Sequence, residues 1–179
     1  MPTARSARSD ADARDREEGS PGSGHHQVAP KRPTEQREQA SVQRYLDRFA
    51  EAMTSGDMRT MAKLWGVPAF VIGRTEARVV QSESEVEQFF KGSKDMYNER
   101  GITGTRAEIQ HLDWVGKDLV VATVRWPYLN ERDEELGEES SSYTLLRGED
   151  GSYKLRSILM RGAHGIASDA ACADGTDDE

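Results

Sequence analysis

The sequence predicts an α+β fold in which a curved antiparallel sheet wraps around three helices from the first half of the chain. Three observations predict it: two amphipathic helices come first, a short apolar strand pair precedes a third helix, and two long hairpins follow. Sequential hairpins form an antiparallel sheet, and helices that precede them cover one of its faces. The same arrangement predicts a pocket between the helices and the sheet.

The first two helices are predicted from apolar residues at helical spacing. The first spans about residues 35–55, and its apolar stripe comprises Val42, Tyr45, Leu46, Phe49, Ala50 and Met53. Gly56 suits the position after a helix, and Asp57 is a favourable cap for the next one. The second helix is short, and its buried side comprises Met58, Met61, Leu64 and Trp65.

The third helix is marked by a capping box, in which a serine and a glutamate three residues later satisfy free amide groups. Either Ser82 with Glu85 or Ser84 with Glu87 fits this pattern. Gly101 ends the helix. One face of it carries Val86, Phe89, Phe90, Ser93 and Tyr97.

Six strands are predicted from apolar runs bounded by turn residues. The first two form a short pair, and the other four form two hairpins with tight connections at residues 115–118 and 148–151. The strands are 69–72, 77–80, 105–114, 119–128, 140–147 and 153–161. Residues 130–139 are predicted as an acidic loop between the hairpins.

Composition separates one domain, residues 34–163, from two tails. Residues 1–33 contain almost no large apolar side chain, so they cannot offset the loss of conformational entropy and are predicted to be disordered. Residues 164–179 are short and acidic and are predicted to be a disordered, solubilising tail.

Charge and cysteine content exclude several classes of protein. A net charge of −8 argues against nucleic-acid binding, which needs a basic face. No apolar run is long enough to span a membrane, and the N-terminus lacks the apolar stretch of a secretory signal. The single cysteine, Cys172, fits a reducing compartment. We therefore expect a cytoplasmic protein that binds neither nucleic acid nor membrane. Without a phosphate loop or a metal-ligand spacing, neither a cofactor nor a metal is predicted.

Four short runs of this sequence resemble the nuclear-transport-factor-2-like (NTF2-like) superfamily, and its SnoaL-like and ketosteroid-isomerase-like branches most closely. They are Val42–Tyr45, Ser55–Asp57, Leu64–Trp65 and Asp150–Leu155. The resemblance covers about residues 34–163. It implies a cone-shaped α+β barrel with a deep pocket and a homodimer formed through the outer face of the sheet. Because this superfamily includes isomerases, cyclases, dehydratases, hydrolases and non-catalytic members, the fold alone does not give an activity.

The resemblance also implies which residues would catalyse ketosteroid isomerisation, and this sequence does not supply them. The reaction needs a carboxylate base on the first strand, with a tyrosine and a protonated acid as hydrogen-bond donors. The base position falls on or near Gly73, with no acidic residue before Glu76, and the tyrosine position falls at Phe49. The acid position falls among Ser140, Ser141 and Ser142. A steroid-isomerase mechanism is therefore not expected.

His111 and Asp113 are candidate catalytic residues because they lie two apart on a predicted strand and share one face of the sheet. If that face lines the pocket, a histidine oriented by a carboxylate is a candidate acid or base, as in the dehydratase branch, and Tyr45 is the third candidate. The alternative is that His111 and Asp113 point outward near the turn at Gly116.

Six apolar or aromatic residues are candidates for the lining of a ligand pocket. They are Phe49, Met53, Trp65, Phe70, Phe90 and Tyr97. The alternative is that they form an ordinary core. Arg125 is a candidate for binding an anionic group of the ligand, with pairing to an acidic residue across strands as its alternative.

Three functions remain open from the sequence. The first is binding of a small hydrophobic or aromatic molecule in a mostly apolar pocket. The second is an isomerase, dehydratase or cyclase that acts on a polycyclic or aromatic metabolite through His111, Asp113 and Tyr45. The third is a dimeric protein-interaction adaptor whose pocket is filled by its own side chains. Trp114 and Trp126 are candidates for the dimer interface, where aromatic residues are enriched.

Overall fold

Residues 33–165 are the part of the chain that the computed structural model describes. Their elements follow the predicted order. The helices are α1 (Pro33–Ser55), α2 (Met58–Leu64), α3 (Glu83–Phe89) and α4 (Ser93–Glu99). The strands are β1 (Trp65–Ile72), β2 (Ala77–Val80), β3 (Gly104–Thr105), β4 (Glu108–Val115), β5 (Leu119–Leu129), β6 (Glu135–Arg147) and β7 (Tyr153–Gly165).

The boundary between α1 and α2 is formed by the two residues predicted to form it. Gly56 has a φ of +76°, a left-handed conformation that glycine adopts without strain. The Asp57 carboxylate then accepts a hydrogen bond of 3.0 Å from the Thr60 amide and starts α2.

The third predicted helix is interrupted and consists of α3 and α4. Gly92, between them, has a φ of +85°, which stops the helical pattern before it resumes. Ser82 and Glu85 cap the start of α3 as predicted, with the return bond made to the amide of Gln81 instead of Ser82. The Ser82 hydroxyl accepts a bond of 3.2 Å from the Glu85 amide, and the Glu85 carboxylate accepts one of 2.8 Å from the Gln81 amide.

The sheet has the strand order β2-β1-β7-β6-β5-β3, and β4 also pairs with β5. β1 and β7 run parallel, with Val71 opposite Ile158, whereas the other strand pairs are antiparallel. The sheet is therefore mixed, which corrects the purely antiparallel sheet that the hairpins predicted. The difference arises because β7 reaches β1 after the chain has crossed the domain, and not through a hairpin.

Two strands extend beyond their predicted limits. β6 begins at Glu135 instead of Ser140, so half of the predicted acidic loop is strand. β7 continues to Gly165, so the first residues of the predicted C-terminal tail are also strand. The remainder of both predicted tails lies outside the described residues.

One face of β5 and β6, the inner face, packs against the helices. Trp126 on β5 is only 1% exposed, and its cross-strand partner on β6 is Glu139. Cross-strand partners lie on the same side of a sheet, so Glu139 also points into the domain. Further partners on this face are Val124 with Ser141 and Ala122 with Tyr143.

The opposite face, the outer face, carries exposed apolar side chains on three neighbouring strands. Phe70 on β1 lies opposite Val79 on β2, and Ile72 on β1 lies opposite Leu159 on β7. All four are exposed, Phe70 to 53%. We call these four residues the outer apolar patch.

Candidate functional site

The space beneath α1 is occupied by aromatic rings. The Phe49 ring lies 6.1 Å from the Phe90 ring, 5.8 Å from the Trp126 ring and 5.9 Å from the Tyr143 ring, measured between centroids. Trp65 packs against Phe90 from the other side, at 5.9 Å. These distances are typical of packed aromatic pairs, so the predicted lining residues contact one another here.

A polar group lies at one end of this aromatic cluster. Glu139 Oε2 accepts a hydrogen bond of 2.5 Å from the Tyr128 hydroxyl. The Tyr128 ring lies 5.5 Å from the Tyr97 ring, and the Tyr97 hydroxyl is 3.4 Å from the Met53 sulfur. We call Glu139, Tyr97, Tyr128 and the nearby Tyr143 the Glu139 cluster.

The electrostatics of the Glu139 cluster favour neutral side chains. Burial raises the pKa of Glu139, and the hydrogen bond from Tyr128 only partly opposes that shift. Burial, with the charge of Glu139 as a second cause, also raises the pKa of Tyr97, Tyr128 and Tyr143. The three phenols therefore keep their protons at neutral pH, and the cluster offers hydrogen-bond donors in an apolar setting.

A groove of about 430 Å³ lies between the end of α4 and the β5–β6 turn. It is lined by Asn98, Gly101, Thr103, Asn130, Glu131 and Arg132. Asn98 follows Tyr97 in the chain, and Thr103 donates a backbone bond of 2.8 Å to Leu129, the neighbour of Tyr128. The lining of the groove does not include a side chain of the Glu139 cluster.

A second cleft, of about 260 Å³, lies where α1 ends and α2 begins. Its lining is mainly polar and comprises Arg48, Glu51, Ala52, Ser55, Asp57 and Thr60. None of these residues was predicted as a site residue, and the cleft contains no side chain of the Glu139 cluster.

The three candidate catalytic residues do not meet at one site. His111 Nε2 lies 3.2 Å from Asp113 Oδ1, so these two do form a pair, but their side chains are 65% and 70% exposed. Both lie on the outer side of β4, as the alternative interpretation anticipated, while Leu112 and Trp114 pack inward against the core. Tyr45 is buried, and its hydroxyl donates a bond of 2.9 Å to the Leu64 carbonyl.

Five of the seven candidate ligand-binding residues lie in the interior: Phe49, Met53, Trp65, Phe90 and Tyr97. Phe70 does not, because β1 alternates and turns Ala69 and Val71 inward and Phe70 outward. This location corrects its predicted place in the pocket.

Arg125 also lies on the outer face, where it is paired with carboxylates. Its Nη1 is 2.8 Å from Glu108, its Nη2 is 2.6 Å from Glu135, and its Nε bonds Glu138. Arg106 extends this outer ion network through Glu108 and Glu135, at 2.8 and 2.6 Å. Arg125 therefore makes the cross-strand pairs that were the alternative to ligand binding.

Sequence reasoning missed Glu139. It lies directly before the serines at which the acid position of the ketosteroid-isomerase branch was placed, but it was assigned to a loop. A signal was available: Glu139, Ser141, Tyr143 and Leu145 are spaced by two, and the last two are residues that favour a buried face of a strand.

Within residues 33–165, no group of three or more His, Cys, Asp and Glu side chains is arranged to hold a metal ion. In the same part of the chain, no helix has the length and apolar character needed to cross a membrane.

Comparisons with known proteins agree with this architecture. The family model described as NTF2-like protein (DUF6841) matches residues 36–163. No curated protein matches the sequence significantly.

Solved structures resemble the domain at low sequence identity. An NTF2-like protein with a cystatin-like fold from Novosphingobium aromaticivorans has a TM-score of 0.55 and 12% identity, over 78% of this chain and 91% of its own. An NTF-2-like protein of unknown function from Silicibacter pomeroyi has a TM-score of 0.53 and 18% identity, over 71% and 97%. A ketosteroid isomerase-like protein from Erwinia carotovora atroseptica has a TM-score of 0.50 and 12% identity, over 69% and 94%. These likenesses establish the fold and not an activity. With the family match, they show that the chain belongs to the NTF2-like family, as its motifs predicted.

Proposed function

We propose that this domain binds a small hydrophobic or aromatic molecule that carries one polar oxygen group, and that the Glu139 cluster holds that oxygen. The observation that carries the proposal is the position of Glu139, a carboxyl group on the inner face of the sheet with Tyr128 at 2.5 Å. A groove of about 430 Å³ is lined by Asn98, which follows Tyr97 in the chain, and by Asn130, which comes two residues after Tyr128.

The energetic cost of Glu139 supports a functional role. Glu139 is half-buried, so its carboxyl group loses part of its hydration and its neutral form is favoured at the expense of the ionised form. An apolar residue would serve structural packing at this position, as Trp126, Val124 and Ala122 do on the neighbouring strand β5. Ionisable groups with shifted pKa values are enriched at binding and catalytic sites.

The ligand chemistry follows from what the cluster offers. Phenol hydroxyls donate hydrogen bonds, and so does a carboxyl group in its protonated form, so the cluster suits a carbonyl or hydroxyl oxygen. Because the Phe49 ring is packed against the rings of Phe90 and Trp126, an apolar ligand would have to displace part of this packing to reach the cluster.

A matched set of variants tests the proposal with 2-acetonaphthone, 2-naphthol and 2-ethylnaphthalene as probes. Calorimetry should detect binding of the oxygenated probes to the wild-type protein. Glu139→Leu should abolish that binding, whereas Glu139→Gln should retain it, because an amide donates and accepts as a neutral acid does. Glu138→Gln is the control, since Glu138 lies on the outer face. Absence of binding by all three probes, or equal binding by Glu139→Leu, would refute the proposal.

A second proposal is a homodimer formed through the outer face, which an adaptor function would also require. The supporting observation is the outer apolar patch, because contiguous exposed apolar side chains are typical of interfaces. Trp114 and Trp126 are not the interface residues expected from the sequence, since Trp114 packs against the core and Trp126 is buried. Light scattering at micromolar concentration should give a dimer mass, and Phe70→Asp should give a monomer. A monomeric wild-type protein would exclude the dimer.

The enzymatic alternative, a SnoaL-like isomerase, dehydratase or cyclase, receives less support. Its candidate residues His111 and Asp113 lie on the outer face and Tyr45 lies in the core, so they cannot act on one substrate atom. A cytoplasmic location remains part of the proposal and is supported by the reduced state that the single cysteine favours.

A further inference from the structure

We propose that the free edge of β4 joins two copies of this chain through a zinc ion, with His111 and Asp113 of each copy as its four ligands. This site goes beyond the proposed function, since it involves neither the Glu139 cluster nor the outer apolar patch.

His111 and Asp113 already have the spacing of two zinc ligands. Both side chains lie on the outer side of β4, 65% and 70% exposed, with His111 Nε2 at 3.2 Å from Asp113 Oδ1. Zinc binds imidazole nitrogen and carboxylate oxygen at about 2.0–2.2 Å, and tetrahedral angles then place two such ligand atoms about 3.3 Å apart. The two atoms can therefore coordinate one ion with little movement.

One chain supplies only half of the ligands that such a site needs. Within residues 33–165, no third His, Cys, Asp or Glu joins this pair in an arrangement that could hold a metal. Structural zinc sites have four ligands. A symmetric dimer brings the same two residues from a second copy and completes the set.

The edge of β4 gives a second copy a place to dock. Among the described strands, β4 pairs with β5 alone, so its other side presents unpaired backbone groups. A bulge between Ile109 and His111 interrupts the regular part of the strand. Pairing over so few residues is marginal in water, so we expect the two copies to associate only when the ion is bound.

One antiparallel register brings the four ligands together. When Leu112 lies opposite Leu112 of the partner subunit, His111 lies opposite the partner's Asp113, and Asp113 lies opposite the partner's His111. Directly opposite residues have Cβ atoms about 4.5–5.5 Å apart on the same side of the sheet. A register centred on Asp113 would instead place two carboxylates against each other, which is unfavourable.

The donor atoms determine the class of metal. Two imidazole nitrogens and two carboxylate oxygens suit zinc, which accepts both kinds of ligand in a tetrahedral site. Magnesium and calcium prefer oxygen ligands throughout and more of them. Magnesium chloride is therefore the matched negative probe.

The test uses the full chain with Phe70→Asp, so that the outer apolar patch does not join chains. Light scattering after removal of metal should give a monomer mass, zinc chloride should double it, and a chelator should reverse the change. Magnesium chloride should have no effect. Calorimetry should give one zinc ion for every two chains. His111→Asn or Asp113→Asn removes half of the ligands and should abolish the doubling, with little change in melting temperature because both positions are exposed.

Two further variants identify the ligands. His111→Asp combined with Asp113→His keeps the four ligands and the register, so it should restore the zinc-dependent dimer that each single change removes. Combined replacement of the other histidines of the chain by alanine, at His25, His26 and His164, should leave that dimer intact. A mass unaffected by zinc, doubling that survives His111→Asn, or one zinc ion bound by each monomer would overturn the inference.

Discussion

The Tyr128 hydroxyl donates a hydrogen bond to Glu139 Oε2 at 2.5 Å, and both side chains lie on the inner face of the sheet. This bond lowers the pKa of Glu139, whereas burial of the carboxyl group raises it and is the larger effect. The net effect is a raised pKa, so Glu139 is protonated more readily in the folded chain than in the unfolded chain.

The first prediction is that Glu139→Gln stabilises the protein at neutral and alkaline pH. Because the pKa of Glu139 is raised, the folded state binds more protons than the unfolded state above the ordinary value of 4.5. The free energy of unfolding therefore falls as pH rises from 4.5 through the raised pKa. Urea unfolding of the wild-type and variant proteins across this interval should show a stability difference that grows in favour of Glu139→Gln. A constant difference would contradict the raised pKa.

The second prediction separates the inner from the outer aromatic residues. Phe90 is buried against Phe49, Trp65 and Phe89, so Phe90→Ala should cost about 3–5 kcal/mol of stability. Phe70→Ala removes the same atoms from an exposed position and should cost the monomer less than about 1 kcal/mol. Chemical denaturation of both variants measures the contrast, and similar losses would place the two rings in similar environments.

The third prediction concerns the outer ion network. Hydrogen bonds from Arg125 lower the pKa of Glu108 and Glu135 below the ordinary value of 4.5. Their contribution to stability is thus complete above pH 4.5 and is lost as pH falls through the lowered values. Arg125→Gln should reduce the melting temperature near neutral pH. It should also make the fall in melting temperature at acid pH less steep than in the wild type. Lys117→Gln, at an exposed position in the β4–β5 turn, is the control. An acid decline in Arg125→Gln as steep as in the wild type would show that the network does not cause it.

The fourth prediction is that the protein lacks ketosteroid-isomerase activity. Glu139 supplies an acid that the sequence analysis did not locate, but Gly73 still offers no base at the end of β1. Phe49 has no hydroxyl group, and loss of one oxyanion donor typically costs on the order of a hundredfold in rate. After incubation with a β,γ-unsaturated ketosteroid, the absorbance of the conjugated product should rise no faster than in a buffer control. Turnover that disappears in Glu139→Leu would reverse this conclusion and favour an enzyme.

Local signals explain what the sequence could predict. The cap at Asp57 and the capping box at Ser82 depend on residues at most a few positions apart, and both are present. The apolar stripe of α1 likewise depends only on local spacing, and it correctly indicates the buried face of the helix, on which Phe49 lies.

The misplaced residues depended on partners distant in the chain. Glu139 looked like part of an acidic loop because only pairing with Trp126 on β5 makes it strand. The continuous apolar run of β1 could not indicate that Phe70 faces outward, since a run without alternation does not distinguish the two faces of a sheet. The Glu139 cluster could therefore be identified only from the register of the strands, and not from a sequence motif.

The parallel pairing of β7 with β1 has a consequence for synthesis of the chain. Among the strands of the described residues β7 is made last, yet it lies between β1 and β6 and joins the two halves of the sheet. Until residues 153–165 leave the ribosome, β1 and β6 each present an open edge, which is the feature that promotes aggregation of partly made β proteins. Cooperative folding must then wait for contacts that span most of the domain, such as Val71 with Ile158, and such distant contacts make folding slow.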